Sequence, residues 1–161
     1  MLNKIVYLQI LLLLSGCSPK KVDTKNRMFQ SIDKTDAVFV QRDNKFFCTR
    51  CGMDLAMFYK TNHIANIEHK RYQYCSIHCL AGHLKQTKKL KNPKVVDIKS
   101  LKFINVSDAY YVVGSVKPAT MSSVSKYAFS SLELAKGFQN KYGGNIVNFY
   151  KALDVAREDF E

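Results

Sequence analysis

An internal repeat constrains this chain more than any other feature. "RYQYCSIHCLAGHL" (71–84) aligns with "KYAFSSLELAKGFQ" (126–139) at an offset of 55 residues. A basic residue, Tyr, an aromatic, Ser and Gly fall in matching places. The alternation in "RYQY" and "KYAF" fits half-buried strands, and each strand runs into a helix. Ser76 and Ser131 stand where a helix N-cap is wanted. A Lys-rich turn and an apolar strand follow each helix, at "PKVVDIKSL" (93–101) and "GNIVNFYKAL" (144–153). Another strand precedes each, at "HIANIEH" (63–69) and "AYYVVGS" (109–115). Both halves therefore read strand–strand–helix–strand, and the fold class expected is α+β, built from duplicated ββαβ units. The first half spans 46–105 and the second 106–161. A long loop, "SVKPATMSSVS" (115–125), separates the first two strands of the second half.

The two halves differ informatively at one pair of positions. Cys75 and Cys79 in the first are Ser130 and Leu134 in the second. A duplicated scaffold with ligand-type residues in one copy suggests a site grafted onto that copy.

The N-terminus sets the expected compartment. "MLNKIVYLQILLLLSGCSPKK" has one Lys, an apolar run from Ile5 to Leu14, then small residues and Cys17. The run is too short to span a bilayer, which takes about 20 apolar residues. Its order of charge, apolar middle and small-residue end is that of a secretory signal. "LSGC" also matches the bacterial lipoprotein box, in which the cysteine becomes the lipid-bearing first residue. We therefore expect a signal peptide over 1–16, lipidation at Cys17 and a lipid-anchored flexible tether over 17–45. The chain would face the periplasm, and Ser18 after the lipidated cysteine leans toward the outer membrane. One short helix is expected near "NRMFQSI", and folded sequence from about Phe46.

With 47% hydrophobic and 12% aromatic residues, a packed core needs no staples. The formal net charge of +12 favours an anionic partner. The lysines are scattered apart from "KKLKNPK" (88–94), so most read as solvated surface. Export disfavours nucleic acid. No Ser/His/Asp set and no Gly-rich phosphate loop is present, and the carboxylates are scattered, so no enzyme is expected.

Four of the five cysteines form two close pairs. Cys48 and Cys51 make C-x2-C, followed by Gly52, which lets the chain turn at positive φ so that thiolates converge. Cys75 and Cys79 sit at i and i+4 on the expected helix, on one face and about 6 Å apart at Cβ. Two such pairs in one half-domain suit a tetrahedral thiolate site. Soft sulfur selects Cu(I), and Zn(II) also accepts four thiolates. Met53, directly after Gly52, tips the choice toward copper, because a thioether is a good Cu(I) ligand and a poor zinc ligand. Met121 sits in a polar loop where burial explains an apolar side chain less readily, so it is a second candidate. Met57, in the apolar "LAMFY", reads as core. His78 lies between the second pair, with His63, His69 and His83 nearby. Disulfides within either pair remain open in an oxidising envelope. So does a redox role, which would want C-x2-C opening a helix after a strand.

The lipoprotein signal, "CTRCGM", "DAYYVVGSVKPATM" and "KYAFSSLELAKGFQNKYGGNIVNFYKAL" together resemble the NosL family of lipid-anchored copper chaperones for nitrous oxide reductase. The resemblance covers about residues 46–153. It implies a duplicated ββαβ fold similar to that of the organomercurial lyase MerB, without implying lyase chemistry. It also implies one Cu(I) per chain, held by Cys and Met, with His as a further donor type. Cys51 and Met53 match the family's Cys-Gly-Met, and Met121 its Pro-x-Met loop, although Ser122 stands where that loop usually has Gly. The "YCSIHC" pair lies outside that pattern. With "CTRCGM" it resembles the TRASH/YHS-type module, whose four cysteines bind zinc, copper or other heavy metals.

The expected function is thus Cu(I) delivery by ligand exchange to nitrous oxide reductase or a related cuproenzyme. The expected metal ligands are Cys48, Cys51, Met53, Cys75, Cys79 and Met121. The expected partners are membrane lipid through Cys17, the cuproenzyme client and its assembly transporter. The alternative is a structural Zn(II) or heavy-metal module with no delivery role.

Overall fold

In the computed structural model, residues 28–41, 45–84 and 90–161 are described. The signal run, Cys17 and Lys88–Lys89 of the basic stretch lie outside them. Strand β1 (His63–Ile67) is central in the first half. It pairs antiparallel with β2 (Lys70–Tyr74) on one side and β3 (Leu90–Val96) on the other. Helix α1 (Ile77–Leu84) connects β2 to β3, and β4 (Phe103–Asn105) extends the sheet, giving the order β2-β1-β3-β4.

The second half repeats this topology. Strand β5 (Tyr110–Val113) is central, between β6 (Lys126–Phe129) and β7 (Asn145–Val147), with α2 (Leu132–Tyr142) connecting the outer two. The order is β6-β5-β7. Helices α1 and α2 begin at 77 and 132, so the offset of 55 seen in the sequence holds in the structure. The α+β expectation of paired ββαβ units is met.

Local chemistry accounts for the elements. Every residue of β6 is buried, so both of its faces are covered. Ser131 caps α2, its hydroxyl accepting the Leu134 N–H at 3.2 Å. Before α1 it is the Ser76 carbonyl that accepts, from Leu80 N–H at 3.3 Å.

Two expectations are corrected. The apolar run over 144–153 is not one strand: β7 ends at Val147, and helix α3 (Phe149–Glu158) follows. Asn148 turns the chain, its side chain accepting Lys151 N–H at 3.0 Å. Phe149, Ala152, Leu153 and Ala156 are the buried residues of α3. They recur at helical spacing, and that face enters the core with α1.

Residues 28–41 are not a free tether either, and no helix forms at Met28–Ile32. Phe29 sits edge-on to Tyr127 at 5.3 Å between ring centroids. The Gln30 amide donates to the carbonyls of Pro118 (3.1 Å) and Ala119 (3.3 Å). Val40 N–H donates to Gln73 Oε1 at 3.0 Å. This strap therefore contacts both halves, and packed chain starts near Phe29 rather than Phe46.

The larger core cluster draws on both halves. It joins Leu55, Ala65 and Leu80 to Tyr111, Phe149 and Leu153, and it contains Cys48, Cys75 and Cys79. No helix among the described residues is long and apolar enough to cross a membrane.

Candidate metal centre

The first cysteine pair sits on a tight knuckle. Phe47 and Asp54 form an antiparallel bridge. Leu55 N–H donates to Phe46 O at 2.9 Å and Cys48 N–H to Met53 O at 2.8 Å. Gly52 closes the turn at φ 76°, where a side chain would be strained, and its N–H donates to Cys48 O at 2.9 Å. No helix follows Cys51, so the thioredoxin-like arrangement is absent here.

The second pair sits where β2 runs into α1. Cys75 directly follows the strand, and Cys79 lies one turn later inside the helix. Thr49 N–H donates to Gln73 O at 3.2 Å, which ties the knuckle to β2 two residues before Cys75. That long-range bond aligns the two pairs.

All four sulfurs consequently lie within 4.8 Å of one another. Cys51 Sγ is 3.5 Å from Cys75 Sγ, and Cys75 Sγ is 3.6 Å from Cys79 Sγ. Sulfurs held tetrahedrally about 2.3 Å from a metal stand about 3.8 Å apart, so this spacing is close to that of a coordination shell. All four are free thiols, not disulfides. Cys48, Cys75 and Cys79 are buried, whereas Cys51 is partly exposed.

The cluster concentrates negative charge on Cys48. Hydrogen bonds from the Cys75 and Cys79 thiols hold Cys48 far below the ordinary thiol value. Donating to Cys48 pushes Cys75 and Cys79 up, and burial adds to both shifts. The arrangement is one thiolate with further thiols around it, and a soft cation would displace their protons.

Polar contacts brace the site. Thr61 Oγ1 lies 2.7 Å from Cys75 O and 3.0 Å from Thr120 Oγ1, linking the helix start to the 115–125 loop. Met121 follows on that loop, 42% exposed and at φ 58°. Met53 is partly buried against the same core cluster as the cysteines. Met57 is exposed, not core. His78 is engaged elsewhere, its Nδ1 lying 2.8 Å from Asp159 Oδ2. His63 has both ring nitrogens occupied, by Thr61 O and Tyr111 OH. His83 Nδ1 lies 2.8 Å from Tyr74 OH. The structure thus gathers the four cysteines, with no histidine in the group. Sequence reading did not anticipate the Thr61–Thr120 brace or the contact of Asp159 with His78. Both join residues far apart in the chain and leave no local signal.

The chain matches the NosL family over residues 37–156. It belongs to the NosL family. The crystal structure of the copper chaperone NosL from Shewanella denitrificans shares the fold of this NosL-family chain. The TM-score is 0.55 and the identity 24%, over 70% of this chain and 93% of that one. That relative is a copper chaperone. No curated protein matches the chain in sequence. This NosL-family chain carries a four-cysteine cluster able to bind a metal ion.

Proposed function

We propose that this chain carries Cu(I) and passes it to a cuproenzyme under assembly, nitrous oxide reductase or a related enzyme. The observation that supports this most is the convergence of four sulfurs of which only Cys51 is partly exposed. Cys48 and Cys51 would hold the ion as thiolates, Cys75 and Cys79 would complete the site or form a second one, and Met53 and Met121 would be thioether donors, with no more than four sulfurs on the ion at a time. Soft sulfur donors stabilise Cu(I) over harder ions. Exchange would start at Cys51, because a ligand from the acceptor can approach that sulfur and replace the donors in turn. The carrier would be anchored by lipid at Cys17 on the periplasmic side, leaning to the outer membrane, and would work beside the client's assembly transporter.

The near-tetrahedral sulfur spacing and the burial of three thiols favour a second reading, a structural Zn(II) site. One experiment separates the two. Reduced, anaerobic protein is titrated with Cu(I) and with Zn(II) against competing chelators, while thermal stability is followed. The carrier reading expects Cu(I) to bind more tightly than Zn(II), and a fold that survives metal removal. It also expects Met121→Ala to fold normally and to bind Cu(I) about tenfold more weakly, a loss of about 1.4 kcal/mol. Preferred Zn(II) with unfolding on its removal would sink the carrier reading, since the metal would then be part of the architecture.

A further inference from the structure

The two copies of the repeated unit differ in what covers their helix. Gly82 in α1 and Gly137 in α2 are equivalent, 55 residues apart. The chain's own C-terminal end lies on Gly82. A Cβ there would come 2.8 Å from Phe160 Cζ and 3.2 Å from Arg50 Nε. Phe160 also stacks on His78, with ring centroids 4.4 Å apart. Asp159 and Glu161 flank it in sequence, and Asp159 meets His78 Nδ1 at 2.8 Å. An aromatic ring therefore lies on α1 at Gly82, the adjoining Asp159 meeting His78, Ser122 and Lys126, and Arg50 lies against the same glycine.

Among the described residues, no side chain crosses Gly137 as Phe160 crosses Gly82, and Phe29 of the strap packs at the side of the groove over α2 against Phe138 and Tyr142. No described residue comes within 4 Å of a Cβ built on Gly137. A glycine inside a helix is destabilising relative to alanine, and no neighbour requires one here. A cavity of about 570 Å³ opens at this point, within the range of ligand-binding clefts. Phe29, Phe129, Phe138 and Tyr142 supply aromatic walls, and Lys60, Lys99 and Lys141 line it as cations against one carboxylate, Glu133. Lys117 Nζ lies 4.2 Å from the centroid of Tyr142, at the side of the same wall. Lys99 also takes the place of Arg50. Ile98 N–H donates to Ala128 O just as Thr49 N–H donates to Gln73 O, and the basic residue follows in each case.

We propose that the groove over α2 docks an acidic segment of a partner protein through an aromatic anchor, as Phe160 lies on α1 at Gly82. The aromatic walls take the ring and the lysines take the carboxylates. The inference goes beyond the metal-carrier reading and stands without it.

The test is isothermal titration of the full chain with the peptide Ala-Arg-Glu-Asp-Phe-Glu, the sequence of its own last six residues. The expected result is saturable one-to-one binding. It weakens at least tenfold when the peptide's Phe becomes Ala, and at least tenfold in the double variant Lys99→Glu with Lys141→Glu. Gly137→Leu fills the cavity from a position with open space, so helix content by circular dichroism should be kept while affinity drops at least tenfold. Absence of saturable binding would overturn the proposal. So would equal affinity for the Ala peptide, which would mean charge attraction alone, or unchanged affinity in Gly137→Leu. Sodium dodecanoate is titrated in parallel. If it binds, is blocked by Gly137→Leu and the peptide does not bind, the groove takes a lipid and the partner-protein proposal fails.

Discussion

Asp97 in the second half stands where Cys48 stands in the first. Each immediately precedes the residue whose N–H reaches the partner strand, Ile98 to Ala128 O and Thr49 to Gln73 O. Cys48 meets Cys75 and Cys79 within the sulfur cluster. Asp97 meets Ser130, the counterpart of Cys75, accepting its hydroxyl at 3.2 Å and its N–H at 3.3 Å. Asp97 also accepts the Ser100 hydroxyl at 2.6 Å and is 1% exposed. The same corner of the unit is thus a thiol cluster in one copy and a carboxylate-centred polar knot in the other. Asp97→Ala should lower the unfolding free energy by about 2 kcal/mol in urea denaturation, because Ser100 and Ser130 lose a buried charged acceptor. Asp97→Asn, which keeps one acceptor oxygen, should lose less.

Loading the cluster must expel protons from Cys75 and Cys79, whose pKa values are raised mainly by donation to Cys48. Apparent metal affinity should therefore rise with pH through neutrality, by about tenfold per pH unit for each proton released. Chelator competition at pH 6, 7 and 8 reads this directly. A flat profile would mean that the thiols are already ionised in the metal-free protein.

Gly82 has no room for a side chain beneath Phe160. Gly82→Ala should cost about 1 kcal/mol or less net, because the Phe160 and Arg50 side chains must shift while alanine's helix propensity offsets part of the strain. Adding Phe160→Ala should recover part of that loss, so the double-mutant cycle should show coupling rather than additivity. Additive losses would place the strain elsewhere.

Burial holds the His63 pKa down at about 4, against an ordinary 6.5, despite the bond to Thr61 O. The unfolded chain binds this proton more readily than the folded one. The contribution of neutral His63 is complete above about pH 6.5 and is lost as pH falls toward 4. The size of the shift corresponds to about 3 kcal/mol. Melting temperature against pH should fall over that window. His63→Gln should start lower and decline less steeply.

The repeat was legible because its marks are local. A serine before each helix, the alternating "RYQY" and "KYAF", and the matched glycines all survive in single windows of sequence. Both cysteine pairs were legible for the same reason. Their meeting in one thiolate site was expected from the spacing, but the contact that aligns them was not legible, since Thr49 reaches Gln73 across a turn and a hairpin. Helix α3 was missed although Phe149, Ala152, Leu153 and Ala156 carry its period. The apolar "NIV" before it, with two aromatics following, drew the strand reading onward. The strap over 28–41 was missed because Gln30 and Gln41 are buried as amides, at 2% and 8% exposure, and hydropathy does not register burial through hydrogen bonds. Phe160 lies 78 positions from Gly82, beyond the reach of any periodic signal.

The strap gives the N-terminus leverage over a distant loop. Gln30 grips the carbonyls of Pro118 and Ala119, and two residues further on is Met121. Thr120, between them, reaches Thr61 and so the backbone of Cys75. A load applied at Met28 would run along this chain of contacts toward the sulfur cluster. Cutting the chain just before Ser31 would remove the handle, and its first effect would be slack at Met121.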